Sequence, residues 1–138
     1  MTTLSWPEVR TELSGLCNLA TADHTGAPHV AVVAPLVDET EIWVFTNRSS
    51  KKARNLAENP RIALMWRPGN EHYVYGTAEL IDDMDTKERL WDSPLLSFDP
   101  TAFFGAATNP EFLVVKVTPD HGVVLTRSGS QRWTHPST

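Results

Sequence analysis

A chain of 138 residues is long enough to bury one core but not two. Its 12 Lys and Arg against 17 Asp and Glu give a formal net charge of −5, which counts against general affinity for nucleic acid or anionic membrane. The single cysteine, Cys17, excludes an intramolecular disulfide framework and any cysteine-based zinc site. The start, MTTLSWPEVR, lacks the regions of a signal peptide, and no stretch approaches the ~20 apolar residues that span a bilayer, so a cytoplasmic location is expected.

In chain order, Ser5-Trp6-Pro7-Glu8 reads as a capping box with proline in the first turn. Trp6, Val9, Leu13 and Leu16 recur near helical spacing, predicting a helix over about 6–14. Strands follow as LCNLATAD, PHVAVVAPLV and EIWVFT, separated by turns at His24-Thr25-Gly26 and Asp38-Glu39-Thr40, which reads as an antiparallel meander. RSSKKARNLAE interrupts it as a helix that must stop by Asn59, because Pro60 disfavours a helical residue before it. RIALMW and EHYVYGTAELI then pair around a Pro68-Gly69-Asn70 turn, and Asp82-Asp83-Met84-Asp85 caps a helix running to about Trp91. Residues 93–109 are irregular and aromatic, and either cover a site or form a satellite core. EFLVVKVTP and GVVLT look like a closing pair of strands. The expected organisation is one domain over 1–126 and a polar, fraying tail over 127–138. Six or seven short strands with few helices need closure to protect their edges, so the fold class is mainly β, a small antiparallel barrel.

One segment conflicts with helix electrostatics. In TNRSSKKARNLAENP, Arg48, Lys51, Lys52 and Arg54 crowd the beginning of the helix and Glu58 sits near its end. A helix N-terminus carries partial positive charge, so each misplaced cation costs about 0.3–1 kcal/mol. Ser49 or Ser50 is placed to cap this helix, leaving free backbone N–H groups that favour an anion. Two arrangements satisfy the pattern: a phosphate bound at the terminus, or a solvated basic face touching an acidic patch elsewhere. Trp43, Phe45, Trp66, Tyr73 and Tyr75 offer flat surfaces nearby, which a phosphate ester carrying an aromatic ring would use.

The ordered run Gly26-Ala27-Pro28, Phe45-Thr46-Asn47, Ser50-Lys51-Lys52 and Asn59-Pro60-Arg61-Ile62 resembles the pyridoxamine 5′-phosphate oxidase-like flavoproteins across residues 16–80. The later segments look most like the small general-stress-protein branch, extending the resemblance to about residue 125. The resemblance implies a split β-barrel that dimerises and binds FMN, with Ser50, Lys51 and Lys52 holding the phosphate. It implies that Phe45, Thr46 and Asn47 lie along the ribityl chain or ring, and that the strand of Val30, Val32 and Val33 runs beside the isoalloxazine. Trp66 adds a flat surface, and Glu71 comes from the second subunit. The chain departs from the true oxidase at Val30 and Pro35, where that enzyme has arginine and lysine, and at Glu71, where it has glutamine. The motif that closes the oxidase site is not recognisable in Gln131-Arg132-Trp133, so a true pyridoxamine 5′-phosphate oxidase is not expected.

The five histidines show no helical ligand spacing, and no metal site is expected, although His29 and His72 read as lying on neighbouring strands. No nucleophile elbow or P-loop is present, and no catalytic residue is identified. Three functions remain: a flavin-dependent oxidoreductase acting on a small organic substrate, with a deazaflavin coenzyme as a variant; a flavin-sequestering protein with a stress role; and an interaction module docking through the basic helix.

Overall fold

The computed structural model of the protein describes residues 4–67 and 69–135. Pro68 of the expected turn and the last three residues of the expected tail lie outside the described residues. Helix α1 spans Trp6–Arg10, with the capping box complete: Ser5 Oγ accepts from Glu8 N, and Glu8 reaches back to Ser5 N. It is shorter than the periodicity predicts. Leu16, assigned to its apolar face, is 67 % exposed, because Gly15 at φ +76° turns the chain into the sheet first.

Strands β1 (Cys17–Ala22) and β2 (Pro28–Val33) form a hairpin, and the Cys17 thiol lies buried, pushed up to about 12. Beyond that hairpin the expected meander breaks. The run PHVAVVAPLV is two strands, because Pro35 has no N–H to offer a ladder. After Ala34-Pro35 the chain forms β3 (Leu36–Val37), which pairs with β4 (Ile42–Asn47). With β5 (Arg61–Trp66), β6 (Glu71–Ile81) and β7 (Phe112–Thr126), the sheet order is β2-β1-β5-β6-β7-β4-β3. Strands β2 and β3 therefore lie at opposite ends of the hydrogen-bonded row while only two residues apart in sequence. The sheet has to curl until its ends meet, which makes the predicted split barrel. His29 on β2 and His72 on β6 are separated by β1 and β5, so the expected neighbouring pair does not form.

The expected closing pair of strands is one long strand, β7. A bulge absorbs its irregular Pro119-Asp120 step: Tyr75 pairs with His121 and Gly76 with Pro119, leaving Asp120 as the extra residue. A Cβ on Gly76 would lie 2.3 Å from the Thr118 carbonyl oxygen, so only glycine allows the approach. The segment expected to fray forms β8 (Gly129–Thr134) on β7. Trp133 is 1 % exposed, lies over Gly122, and meets Trp6 at 5.4 Å between ring centroids. Trp6 Nε1 donates to the Glu39 carbonyl at 2.8 Å, tying α1 to the β3–β4 turn. The apolar ring at the C-terminus decides this outcome over the polar composition around it.

The barrel interior holds one core, including Leu19, Ile42, Val44, Leu64, Trp66, Val74 and Val115. Outside the barrel, α3 (Met84–Trp91) and the short α4 (Thr101–Phe104) cover β4 and β7 with a second core of Leu36, Trp43, Leu90, Phe112 and Val114. Strand β4 is thus buried on both faces, which explains its near-continuous apolar run. No helix among the described residues is long and apolar enough to cross a membrane.

Helix α2 (Lys51–Glu58) docks on β1 by burying Leu56 and by Asn55 Nδ2 donating to Thr21 Oγ1 at 3.1 Å, both groups being buried. Asn59 leaves helical geometry at φ −142°, as Pro60 requires. At the same end the misplaced Glu58 finds a partner: it accepts from the His24 backbone N–H at 3.1 Å and contacts the imidazole Nδ1 at 2.9 Å.

Two outcomes follow. Trp133→Ala should lower stability by about 3–5 kcal/mol in chemical denaturation; a loss under about 1 kcal/mol would mean that β8 is not part of the cooperative unit. His24 is raised above the usual 6.5 by its hydrogen bond to Glu58 and then by that carboxylate's charge, while the same hydrogen bond lowers Glu58 below 4.5. A raised histidine contributes stability below its ordinary value and loses it as pH climbs through the folded one; a lowered carboxylate loses its contribution as pH falls. The pair therefore acts from about pH 4.5 to somewhat above 6.5. An NMR titration should place the His24 midpoint above 6.5, and Glu58→Gln should bring it down; a midpoint indifferent to the substitution would contradict the pairing.

Candidate functional site

The N-terminus of α2 opens at the seam between β2 and β3. Ser50 is its N-cap, with Oγ accepting from Ala53 N at 3.2 Å, and the buried Thr46 hydroxyl lies 2.9 Å from the same oxygen. The Ser50 N–H is bonded to the Asn47 carbonyl at 3.0 Å. The N–H groups of Lys51 and Lys52, at the first two helical positions, have no carbonyl within the helix to bond. No acid occupies the first turn. Lys51 is exposed, whereas Lys52 is half-buried and its ammonium is pushed below the usual lysine value by burial. A cation desolvated without a carboxylate beside it, next to two donors with no partner among the described residues, has the chemistry to favour a compact anion such as a phosphate.

Lys52 also lines a pocket of ≈ 390 Å³. Its walls are Val32, Val33 and Ala34 from the seam, Phe45 from β4, Leu16, and the Ser97, Phe98, Phe103 and Phe104 side chains of the irregular segment. Phe45 anchors that segment through rings set edge to face, Phe98 at 5.7 Å and Phe104 at 6.3 Å, and meets Phe112 of β7 in the same way at 4.9 Å. Phe103 meets Phe98 at 5.5 Å yet is 70 % exposed. Within the segment, Phe104 packs against the second core, beside Trp91 of α3, and also lines the pocket, as do Phe98 and Phe103. The lining is apolar with one cation and no carboxylate, a chemistry suited to a flat ring carrying a negative group.

Of the residues expected in the site, the fold brings Val32, Val33, Phe45 and Lys52 to this pocket, with Ser50 and Lys51 at the helix terminus beside it. Thr46 is only 3 % exposed, and its hydroxyl braces Ser50. Asn47 is exposed and contributes its carbonyl to the turn. Val30 is 66 % exposed on the outer face of β2 and does not line the pocket. Trp66 is corrected outright: at 1 % exposure it belongs to the barrel core, because its position in β5 points inward beside Leu64. Trp43 is likewise core, and Tyr73 and Tyr75 are half-buried strand residues that do not line this pocket. Glu71 sits at the start of β6, with Oε1 3.7 Å from Arg67 Nε and receiving the Tyr73 hydroxyl at 3.4 Å.

Two of the four cations in the reversed helix are accounted for differently. Arg48 is a structural tie, donating from Nη2 to Asp82 Oδ2 at 2.7 Å and from Nε to the Pro110 carbonyl at 3.1 Å. Asp82 also receives the buried Lys87 ammonium, and these two donors hold its carboxyl below the usual range. Arg54 is exposed. Sequence reasoning missed Leu16, Ala34 and Ser97. Leu16 fits a helical stripe, and nothing local marks the other two as pocket walls.

The sequence matches the pyridoxamine 5′-phosphate oxidase family over residues 6–125. A curated pyridoxine/pyridoxamine 5′-phosphate oxidase of Anaeromyxobacter dehalogenans is 55 % identical over 58 residues, which is 41 % of this chain and 29 % of that protein. The chain thus matches less than a third of that relative's length. Among solved structures, a protein related to general stress protein 26 from Clostridium acetobutylicum superposes with a TM-score of 0.75 at 18 % identity, covering 92 % of this chain and 90 % of that one. A heme binding protein from Mycobacterium smegmatis gives a TM-score of 0.77 at 14 % identity, covering 97 % and 59 %. These likenesses place the fold among split barrels, and the sequence match places the chain itself in the pyridoxamine 5′-phosphate oxidase family.

Proposed function

We propose that this protein binds FMN with its phosphate at the N-terminus of α2 and its ring in the adjoining aromatic pocket, as a flavin-dependent oxidoreductase acting on a small organic substrate. The observation that carries this reading is Lys52, half-buried with no acid in its helix turn, beside the unpaired N–H groups of a Ser50-capped helix. Bound there, the flavin would supply two-electron chemistry. Ser50 fixes the helix terminus that receives the phosphate, and Thr46 fixes Ser50. Lys51 and Lys52 neutralise the phosphate charge, while Phe45 and Phe98 exclude water from one wall. Val30 and Pro35 stand where the oxidase has cations, so the site lacks groups that would grip pyridoxamine phosphate from that strand. A different substrate follows from that loss.

A deazaflavin coenzyme would use the same phosphate cradle, and its absorption spectrum separates it from FMN. Heme fits less well, because the pocket lining offers no histidine, cysteine, methionine or tyrosine as an axial ligand. A sequestering role is the second reading. It draws on the polar poverty of the pocket, where Lys52 and Ser97 are the only lining side chains with a proton to give.

We also propose a homodimer. Val30, Ala20, Ala63 and Tyr75 stand in register across β2, β1, β5 and β6, with side chains on the outer face that no helix covers. A second copy would bury this face beside the seam and bring Glu71 towards the pocket of its neighbour, which Glu71 does not line in its own chain.

Purified protein should bind added FMN with quenching of its fluorescence, and Lys52→Ala should weaken that binding ~10-fold, the worth of one charge-assisted contact. Unchanged affinity would refute the phosphate cradle. Faster reoxidation of the bound reduced cofactor by a small acceptor than of free FMN would favour catalysis over storage. In sedimentation, wild type should be dimeric and Val30→Asp monomeric with weakened FMN binding; a wild-type monomer at full flavin occupancy would refute the shared site.

A further inference from the structure

The pocket at Lys52 does not end at the seam. Leu16 and Val32, which form part of its wall, also line a second depression of ≈ 230 Å³ together with Asn18, Met65 and Arg67. Arg67 in turn stands on the rim of a third hollow between the tips of the β5–β6 and β7–β8 hairpins, with Glu71 and Arg127. The shared residues set these hollows in a row, bordering the face that the proposed second copy would cover, and together they form a track: a cation at the helix terminus, an apolar floor of Leu16 and Val32, and a cation at the far end.

The far end is electrically unbalanced. Glu71 shares that rim with Arg67 and Arg127, and its Oε1 already takes the Tyr73 hydroxyl. Arg67 approaches the same oxygen only through Nε, at 3.7 Å, beyond hydrogen-bond distance. The two terminal nitrogens of Arg67 have no partner among the described residues, and its side chain is 70 % exposed. A guanidinium edge of this kind matches a carboxylate in fork geometry. Along the floor, Leu16 at 67 % and Val32 at 66 % exposure present bare apolar surface, and the open Phe103 ring looks onto the same pocket.

We infer that the track accepts a small aromatic acid as substrate, lying on Leu16 and Val32, with its carboxylate received by Arg67. This rests on the cofactor reading above, which assigns Lys52 to a phosphate and leaves Arg67 as the cation for a second anion. Arg67 is then a substrate-positioning residue that sets specificity by charge, while the floor sets it by shape.

Calorimetric titration of benzoate and its neutral isostere benzamide into the full-length protein, with and without FMN, tests the assignment. With FMN bound, benzoate should bind at least ~10-fold more tightly than benzamide, the increment expected of a charge-assisted pair, and should weaken as salt rises. Arg67→Gln should reduce benzoate to the level of benzamide, Arg67→Lys should recover part of the difference, and FMN affinity should stay unchanged in both. Equal binding of the two probes, or benzoate binding indifferent to Arg67→Gln, overturns the inference. Benzoate captured through Arg67 by a protein that takes no FMN would overturn the cofactor reading alone. FMN binding without benzoate binding would overturn this inference alone.

Discussion

Two residues, Ala34 and Pro35, hold the opposite edges of the sheet together, and most of the molecule depends on that link. Strand β2 ends one side of the hydrogen-bonded row and β3 ends the other, so a two-residue connection forces the row to curl. The closure is covalent where a full barrel would have a ladder, since Pro35 donates no hydrogen bond. A gap therefore persists at the seam. Val32, Val33 and Ala34 line the pocket there, with α2 on one side and the aromatic segment on the other.

The reversed helix sits at the edge of this gap for a reason that its charges make plain. Glu58, misplaced at the C-terminus, is answered within the chain by His24. Arg48, outside the first turn, is answered by Asp82. Lys52 has no such answer in its own helix turn, although burial makes it the costliest of the cluster to leave charged. Local rules broken with internal compensation are structural, and among the helix cations only Lys52 is both half-buried and without a counter-charge in its turn, which is what points the proposed site there. The contrast narrows a diffuse basic patch to one ammonium and two backbone donors.

Membership of the pyridoxamine 5′-phosphate oxidase family accounts for the scaffold, and the side chains around the seam determine what it handles. The pocket wall is built from two sources that the chain keeps far apart: strand residues at the seam and phenylalanines some sixty residues later. Phe45 joins them, since one face of β4 supports the barrel while Phe45 on the other supports the rings of the irregular segment. On the proposed function, shape selection and cofactor placement would be coupled through this single strand, with Arg67 at the opposite end of the apolar floor adding charge to the selection.

Some of this was legible in the residues themselves. Alternation along β1, β5 and β6, the Ser5–Glu8 capping box and the Asn59-Pro60 stop are local codes, written within a few neighbours, and they hold in the fold. The order Phe45-Thr46-Asn47 to Ser50-Lys51-Lys52 was enough to find the helix terminus. Polarity alone misread the C-terminal segment, because Trp133 acquires its value only when Gly122 and Trp6 are brought under it. Trp66 and Leu16 exchanged roles for the same reason: a tryptophan looked like a ligand surface and became core, while a leucine looked like core and became a pocket wall. The sequence by itself determined where most strands and helices begin, which helix terminus gathers the cations and which family the chain resembles, since those depend on short-range chemistry. The tertiary structure alone decided which faces are buried, which cation is left unanswered and which distant phenylalanines meet it, because burial is a property of where the curled sheet places a residue and not of the residue's neighbours in the chain.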